Sequence, residues 1–274
     1  MDIRQALATA CAAQGLDRLD AQLLLLHALG RPQTDRAWLL AHDTDALEAD
    51  GHRRYADLTG RRAAGVPLAY LTGQREFYGL MLQVDPRVLD PRPDTETLVD
   101  WALERLPPQG SVIDLGTGSG AIALAIQSQR PDARVIAIDA SADALAVAQA
   151  NAQRLRLAVR FEQHDWLSGV QGRFDLIVSN PPYIAEGDPH LDKLGHEPSM
   201  ALSSGADGLN AIRTLIAQAP AHLQADGWLL LEHGWDQATT VRALLAQAGF
   251  TQVQSRADLA GIERCSGGQA PPRN

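Results

Sequence analysis

The chain has 274 residues, enough for one large domain or two unequal ones. Hydrophobic residues make up 45% and charged residues 21%, which excludes a disordered or collagen-like chain. The formal net charge of −9 argues against a protein that lives by non-specific phosphate contacts, because these need a basic surface.

The opening residues, "MDIRQALATA", lack the basic flank and long apolar core of a secretion signal, and "LLLLHALG" is too short to cross a bilayer. Cys11 and Cys265 stand near opposite ends with no metal or redox spacing, so a reducing compartment is the default. A soluble, cytoplasmic protein is expected. Residues 1–70 read as helices: "DIRQALATACAA" and "LDAQLLLLHALGR" carry apolar residues at helical spacing, the second closing at Gly30 with Pro32 beyond. "DALEADGHRRYADLTGRRAAG" adds a polar helix with Leu47, Tyr55 and Leu58 on one side. A small helical bundle follows from these.

Over residues 71–93 the pattern changes. "REFYGLMLQV" and "RVLDPRP" read as two short strands, a hairpin linking two halves. The third segment, 94–274, begins with a helix, "DTETLVDWALERL", with Asp94 or Thr95 as its cap and Glu96 in the first turn. Strands then alternate with helices. "SVIDL", "RVIAID", "VRFEQ", "FDLIVS", "GWLLLEH" and "TQVQSR" are the strands, which argues for an α/β fold with a parallel sheet covered on both faces. The tail, "SGGQAPPRN", reads as frayed.

Two stretches carry chemistry. In "VIDLGTGSGAIALA", Gly116, Gly118 and Gly120 lie between a strand and a helix, where glycine permits a tight turn and close ligand approach. A close strand–helix turn with no ligand would use the same residues. "VIAIDAS" ends the next strand in Asp139, about twenty residues on, where such folds offer a carboxylate to ribose hydroxyls. The spacing misses the dinucleotide fingerprint and no phosphate clamp is evident, which suits a nucleoside cofactor without a pyrophosphate. Asp165 and Trp166 follow the third strand, as an acceptor and a stacking ring for adenine, or with Trp166 as core filler.

The second stretch is "VSNPPYI". Its consecutive prolines, Pro181 and Pro182, stiffen the backbone and remove two N–H donors while leaving their carbonyls as acceptors. The Asn180 oxygen and the Pro181 carbonyl suit the two hydrogens of a planar –NH2, with Tyr183 against its face. A rigid turn with a satisfied asparagine is the bland alternative. Such a nitrogen is a weak nucleophile, so positioning must do most of the catalytic work.

Together these residues resemble class I methyltransferases that use S-adenosylmethionine and carry an (N/D)PPY motif. "PLAYLTGQREFYGL", "PRPDTETLVDWAL", "DLGTGSGAIALA", "VSNPPYI", "EPSMALSSGADGL" and "LLLEHGW" further resemble the HemK/PrmC family of release factor glutamine methyltransferases. The resemblance covers nearly the whole chain. It implies a Rossmann-like seven-stranded sheet with an N-terminal helical bundle, residues 1–70, that helps dock a class 1 release factor. The activity implied is methyl transfer from S-adenosylmethionine to the glutamine amide of a Gly-Gly-Gln motif, by a monomer that touches neither nucleic acid nor membrane. By the same resemblance Gly116, Thr117, Gly118, Ser119, Gly120, Asp139, Trp166 and Asn180 would bind the cofactor. Asn180, Pro181, Pro182 and Tyr183 would grip the glutamine, with Asn180, Pro181 and Tyr183 as the catalytic set. Arg92, Thr95 and Glu96 would line or brace the cleft, and Glu197 would tie down the loop beyond it.

Asp90 departs from the family pattern, which usually has an aliphatic residue there. The tail holds Gly267-Gly268-Gln269, the same tripeptide as the implied substrate, through chance or as a weak pseudosubstrate. Two other activities compete: a ribosomal-protein glutamine methyltransferase and an amino-group methyltransferase of nucleic acids. The acidic balance argues against the latter. A non-catalytic binding module is disfavoured by the intact glycine loop, Asp139 and "NPPY", and the histidines and cysteines form no metal-ligand cluster.

Overall fold

In the computed structural model, which describes residues 1–271, the chain divides between Gln74 and Arg75 into two units. The first is helical: α1 (Ile3–Gln14), α2 (Arg18–Ala28), α3 (Arg36–Ala41), α4 (Ala49–Ala63) and α5 (Leu68–Thr72). Asp2 starts α1 with a reciprocal cap, its carboxylate accepting from the Gln5 N–H at 2.8 Å while the Gln5 side chain accepts from the Asp2 N–H at 3.1 Å. Leu24, Leu25, Leu39, Tyr55 and Leu58 form the buried core, and Leu47 packs against it half-buried. Arg62 of α4 donates to Asp20 of α2 at 2.7 Å.

The hairpin is tighter than the sequence reading. Both strands, β1 (Gln74–Phe77) and β2 (Leu80–Gln83), lie inside "QREFYGLMLQ", while residues 86–92 form no strand. Tyr78 and Gly79 both take positive φ, 51° and 76°, the geometry of a two-residue hairpin turn. Glu96 fastens that turn, accepting from the Tyr78 N–H at 2.9 Å.

A 3₁₀ turn, Pro93–Thr95, leads into α6 (Glu96–Arg105). Neither Asp94 nor Thr95 caps α6 through its side chain as expected; Thr95 is committed elsewhere. There follow β3 (Ser111–Leu115), α7 (Ala121–Gln129), β4 (Arg134–Asp139), α8 (Ala142–Leu155), β5 (Arg160–Gln163) and β6 (Phe174–Ser179). After an irregular segment come α9 (Asn210–His222), β7 (Leu223–Glu232), α10 (Ala238–Gln247), β8 (Thr251–Ala257) and β9 (Glu263–Gln269).

Among the described residues β3 to β9 form a seven-stranded sheet of order β5-β4-β3-β6-β7-β9-β8. It is parallel from β5 to β7, as the alternation implied, but β9 runs antiparallel to both neighbours. The reason is local. Only a turn joins β8 to β9, closed by the Asp258 N–H on the Ile262 carbonyl at 2.8 Å, and a turn that short returns the chain antiparallel.

The frayed tail is also corrected, since Ser266–Gln269 is the end of β9, inserted between β7 and β8. Gly267 and Gly268 are buried, and a Cβ on Gly267 would stand 2.5 Å from the Leu229 carbonyl. Close strand packing therefore accounts for the glycines, and a pseudosubstrate role is ruled out by their burial. Residues 272–274 of that expected tail lie outside the described residues.

Register fixes the functional edge. Leu115 pairs with Ile138 and Ser179, and Ser179 pairs with Leu231. Gly116, Asp139, Asn180 and Glu232 therefore stand at or just past the carboxyl ends of four adjacent strands, the edge where open α/β sheets bind ligands.

Candidate functional site

A cavity of about 250 Å³ opens at this edge. Gly116, Gly118, Asp139, Trp166, Asn180 and Pro182 line it, joined by Asp165. The glycine loop divides its residues by direction. Gly116 and Gly118 take positive φ, 70° and 56°, and face the cavity. A Cβ on Gly116 would meet the Trp166 ring at 3.4 Å, while one on Gly118 would meet nothing within 4 Å and enter open space.

The other three expected loop residues turn inward. Thr117 donates from its hydroxyl to Asp114 at 2.6 Å and from its N–H to the Ile138 carbonyl at 2.9 Å. Ser119 is buried and its carbonyl accepts from Asn151 at 3.0 Å. Gly120 leaves room for neighbouring helices, since a Cβ there would lie 3.0 Å from Leu124 and 3.2 Å from Ala148 of α8. Asp139 accepts the Gly118 N–H on one oxygen and the Ser141 N–H on the other, each at 2.9 Å. A carboxylate has about four acceptor positions, so lone pairs remain on both oxygens.

Sequence reasoning passed over Asp114. It is fully buried, and burial pushes its carboxyl up to about 7 against the hydrogen bonds from Thr117 and Ala123. Its Oδ1 is buried without a partner. The signal was a lone acid inside an otherwise apolar strand, "SVIDL", directly before the glycine turn. His164 lines the cavity and pairs with Glu162 at 3.2 Å. Arg87 also reaches the wall, but both its Nε and Nη2 are held by Asp85, at 2.9 and 2.7 Å.

Asn180, Leu89 and Ala201 form the wall shared with a second, smaller cavity of about 60 Å³, lined also by Tyr183, Arg92 and Ile184. Pro181 is buried and lines neither cavity; among the described residues its carbonyl has no hydrogen-bond partner. The stretch is held rigidly around it. Ser179 donates to the Leu115 carbonyl at 2.7 Å, Gln237 donates to the Tyr183 carbonyl at 3.0 Å, and Ile184 exchanges main-chain bonds with Leu202 and Ser204. A Cβ on Gly208 would fall 2.2 Å from the Tyr183 carbonyl, so glycine is required there.

Behind Asn180 lies a polar cluster. The Asn180 amide donates from Nδ2 to the Thr95 hydroxyl at 3.3 Å, and Thr95 is among the groups that lower the Glu232 pKa. The Tyr183 hydroxyl donates to Glu232 Oε1 at 3.4 Å. Glu232 is 2% exposed, and burial pushes its carboxyl up to about 7. Burial and the neighbouring Glu232 charge push the Tyr183 hydroxyl up as well, so it stays protonated. Glu232 was legible only as part of a quoted motif.

Glu197 is buried and fastens the segment after the motif. It accepts from Arg92 at 2.5 Å and from the Asp90 N–H at 3.2 Å. Asp90, buried between Arg75 at 3.4 Å and Arg92 at 3.6 Å, replaces aliphatic packing with an ion-pair cluster, and burial raises its carboxyl pKa. Pro198 and Met200, just beyond Glu197, roof the larger cavity.

The family described as Methyltransferase small domain matches residues 93–197, and that described as PrmC N-terminal domain matches residues 2–73. The release factor glutamine methyltransferase of Bordetella pertussis is 52% identical over 263 residues, covering 94% of this chain and 96% of that protein. The protein of the same name from Xylella fastidiosa (strain Temecula1) is 50% identical over 268 residues, covering 96% of each. A methyltransferase structure from Pyrococcus furiosus matches with a TM-score of 0.57 at 19% identity, over 79% of this chain and all of that one; it shows a shared fold.

Proposed function

The chain belongs to the family of release factor glutamine methyltransferases, and from that premise we propose that it methylates the glutamine amide nitrogen in the Gly-Gly-Gln motif of class 1 release factors. The observation that carries this reading at the level of chemistry is Asn180, the polar side chain in the wall that a nucleoside-sized cavity and a small side-chain pocket share with Leu89 and Ala201.

The residues of the larger cavity fit S-adenosylmethionine. Asp139 keeps acceptor positions for two hydroxyls, Trp166 offers a ring beside Gly116, and Gly118 leaves its main chain open to a ligand. The lining arginine is already neutralised by Asp85, which suits a ligand with no phosphate. When bound, S-adenosylmethionine supplies an electrophilic methyl on a sulfonium.

The chain's own residues then handle the acceptor. Asn180 Oδ1 takes one hydrogen of the substrate –NH2, fixing the nitrogen's orientation, and the Pro181 carbonyl, which has no partner of its own but lies behind the cavity walls, takes the other as the substrate seats against it. Both acceptors carry partial negative charge beside a nitrogen that becomes positive as the new bond forms, which favours that transition state. Tyr183, neutral and half-buried, packs against the planar amide. The surplus proton leaves to water after transfer. The helical unit before Gln74 helps dock the release factor, and the protein acts as a cytoplasmic monomer. No helix among the described residues is long and apolar enough to cross a membrane.

The test is incubation with labelled S-adenosylmethionine and three acceptors: a class 1 release factor, its Gln→Ala variant in the tripeptide, and a ribosomal protein. Label on the first alone is expected. Equal label on the Gln→Ala variant, or label only on the ribosomal protein, would overturn the proposal.

A further inference from the structure

We infer that Gln237 is a positioning residue for the acceptor pocket: from the turn after β7 it holds the peptide that follows Tyr183, and a one-way hydrogen-bond chain through His233 keeps that turn rigid. The inference rests on the reading of Tyr183 as the ring packed against the substrate amide.

The Gln237 amide bridges two main-chain groups of opposite kind. Its Oε1 accepts from the Gly234 N–H at 2.8 Å, and its Nε2 donates to the Tyr183 carbonyl at 3.0 Å. An N–H only donates and a carbonyl only accepts, so the amide has one workable orientation. The Tyr183 carbonyl and the Ile184 N–H belong to one planar peptide. That N–H donates to the Leu202 carbonyl at 2.9 Å, so the plane is pinned at both edges. On its other side Tyr183 follows two prolines, whose φ angles are fixed. The Tyr183 Cα, and with it the side chain that lines the smaller cavity, is held from before and behind. Gly208 leaves room for this contact: a Cβ there would stand 2.2 Å from the Tyr183 carbonyl and 3.0 Å from Gln237 Nε2.

The turn that carries Gln237 is fixed by a chain with a direction. Arg242 of α10 donates from Nη1 to Ser255 Oγ at 2.5 Å, and Ser255 Oγ lies 2.7 Å from Ser266 Oγ. Ser266 Oγ lies 2.7 Å from His233 Nε2, and His233 Nδ1 lies 2.9 Å from the Gly234 carbonyl. One end of the chain is a guanidinium, which only donates, and the other a carbonyl, which only accepts. Between them stand two hydroxyls and an imidazole that is 0% exposed, where burial disfavours its charged form. Each of these three groups has one proton to give. One proton falls in every contact only if Ser255 gives to Ser266, Ser266 gives to Nε2, and the Nδ1–H goes to Gly234. His233 is therefore locked as its Nδ1-protonated tautomer.

The sheet builds the chain into the fold. Ser255 and Ser266 are register partners in β8 and β9, and the His233 N–H donates to the Arg264 carbonyl of β9 at 2.9 Å. The Gly234 carbonyl that receives His233 also accepts the Gln237 N–H at 3.0 Å, which closes the turn.

The experiment has two arms. In the first, Gln237→Leu and Gln237→Glu are compared with wild type at about pH 8, where a carboxyl is ionised. A release factor is the acceptor, calorimetry reads S-adenosylmethionine binding, and kcat is taken per cofactor-binding site so that unfolded protein does not count. Gln237→Leu should lower kcat roughly five- to tenfold, the worth of one hydrogen bond. Gln237→Glu keeps an acceptor for Gly234 but sets an anionic oxygen against the Tyr183 carbonyl, so its kcat should fall at least as far. Gln237 lines neither cavity, so cofactor Kd should stay within about threefold in both. A role confined to the Gly234 turn would leave Gln237→Glu at wild-type kcat. In the second arm, proton–nitrogen spectra are recorded on wild type with isotope-labelled histidine rings, and His233 is assigned through its contact with Ser266. Its proton should sit on Nδ1 with Nε2 bare. Gln237→Glu within about twofold of wild-type kcat, or a His233 ring protonated at Nε2, overturns the inference. A wild type that labels no glutamine would instead refute the proposed function, and this inference with it.

Discussion

Asn180→Ala separates holding the acceptor from holding the fold. The native side chain makes one long neutral bond, Nδ2 to Thr95 at 3.3 Å, and is half-buried against two cavities. Its removal costs the Thr95 hydroxyl only that one long, neutral bond. The expected loss of stability is therefore about 1 kcal/mol or less. The loss in turnover is larger because the nitrogen loses an oriented acceptor as its positive charge develops. Removing one preorganised dipole of this kind costs roughly 10²- to 10³-fold in kcat, or about 3 to 4 kcal/mol. The assay is steady-state methylation of a release factor, with calorimetry for S-adenosylmethionine and urea unfolding in parallel. A kcat within about fivefold of wild type, in a variant as stable as wild type, would refute the role given to Asn180.

Asp139→Ala removes the acceptor of the Gly118 and Ser141 N–H groups as well as the proposed ribose contact. The cofactor Kd should weaken on the order of 10²-fold, and an unchanged Kd by calorimetry would dismiss that contact. Gly120→Ala places a methyl 3.0 Å from Leu124 and 3.2 Å from Ala148 at a φ of 85°, so thermal unfolding should show a loss of about 2 to 4 kcal/mol. A pH effect follows from Asp114 and Glu232, each at about 7 in the fold against an ordinary value near 4 when unfolded. Between those values the folded chain holds protons the unfolded chain has lost, so stability is fullest below about pH 4 to 5 on this account and falls as pH rises to 7. The fall is on the order of 3 to 4 kcal/mol per group at most. Asp132 and Asp207, held low by Arg130 and Arg213, act below this window. Asp114→Asn still accepts from Thr117 and Ala123, so it should remove roughly half the difference in urea midpoint between pH 5.5 and 8. A wild-type midpoint that rises over that interval would contradict the argument.

The fold was legible wherever the signal was periodic. Helical spacing in "LDAQLLLLHALGR" and apolar runs such as "FDLIV" marked their elements because burial on one face, or on both, dictates the pattern. β9 was not legible. "ERCSGGQ" has two glycines and little β-propensity, and it is a strand because β7 and β8 leave a slot too narrow for side chains at Gly267. The site was legible by residue type but not by direction. The sequence gives Thr117, Ser119 and Gly120 the same standing as Gly116 and Gly118, and only the turn's dihedral angles send the first three into the interior. Asp114 and Glu232 escaped notice for the opposite reason: each is a single acid within an apolar strand, and the Tyr183 that donates to Glu232 lies 49 residues away in the chain.

Those two acids share a placement that bears on how the edge works. Each ends a central strand of the sheet or nearly so, is fully buried, and is satisfied on one oxygen while the other is left without a partner. Leaving such an oxygen buried costs on the order of 1 to 3 kcal/mol, which packing alone would not retain. What the cost sustains is orientation: Asp114 holds the Thr117 hydroxyl and the Ala123 N–H across the glycine turn, and Glu232 holds the Tyr183 hydroxyl behind the tetrapeptide. The groups in the cavity walls need no flexibility to find their geometry, because the acids behind them have already chosen it. A weak amide nucleophile gains from that arrangement, since positioning is the largest help that a site with no evident general base can give.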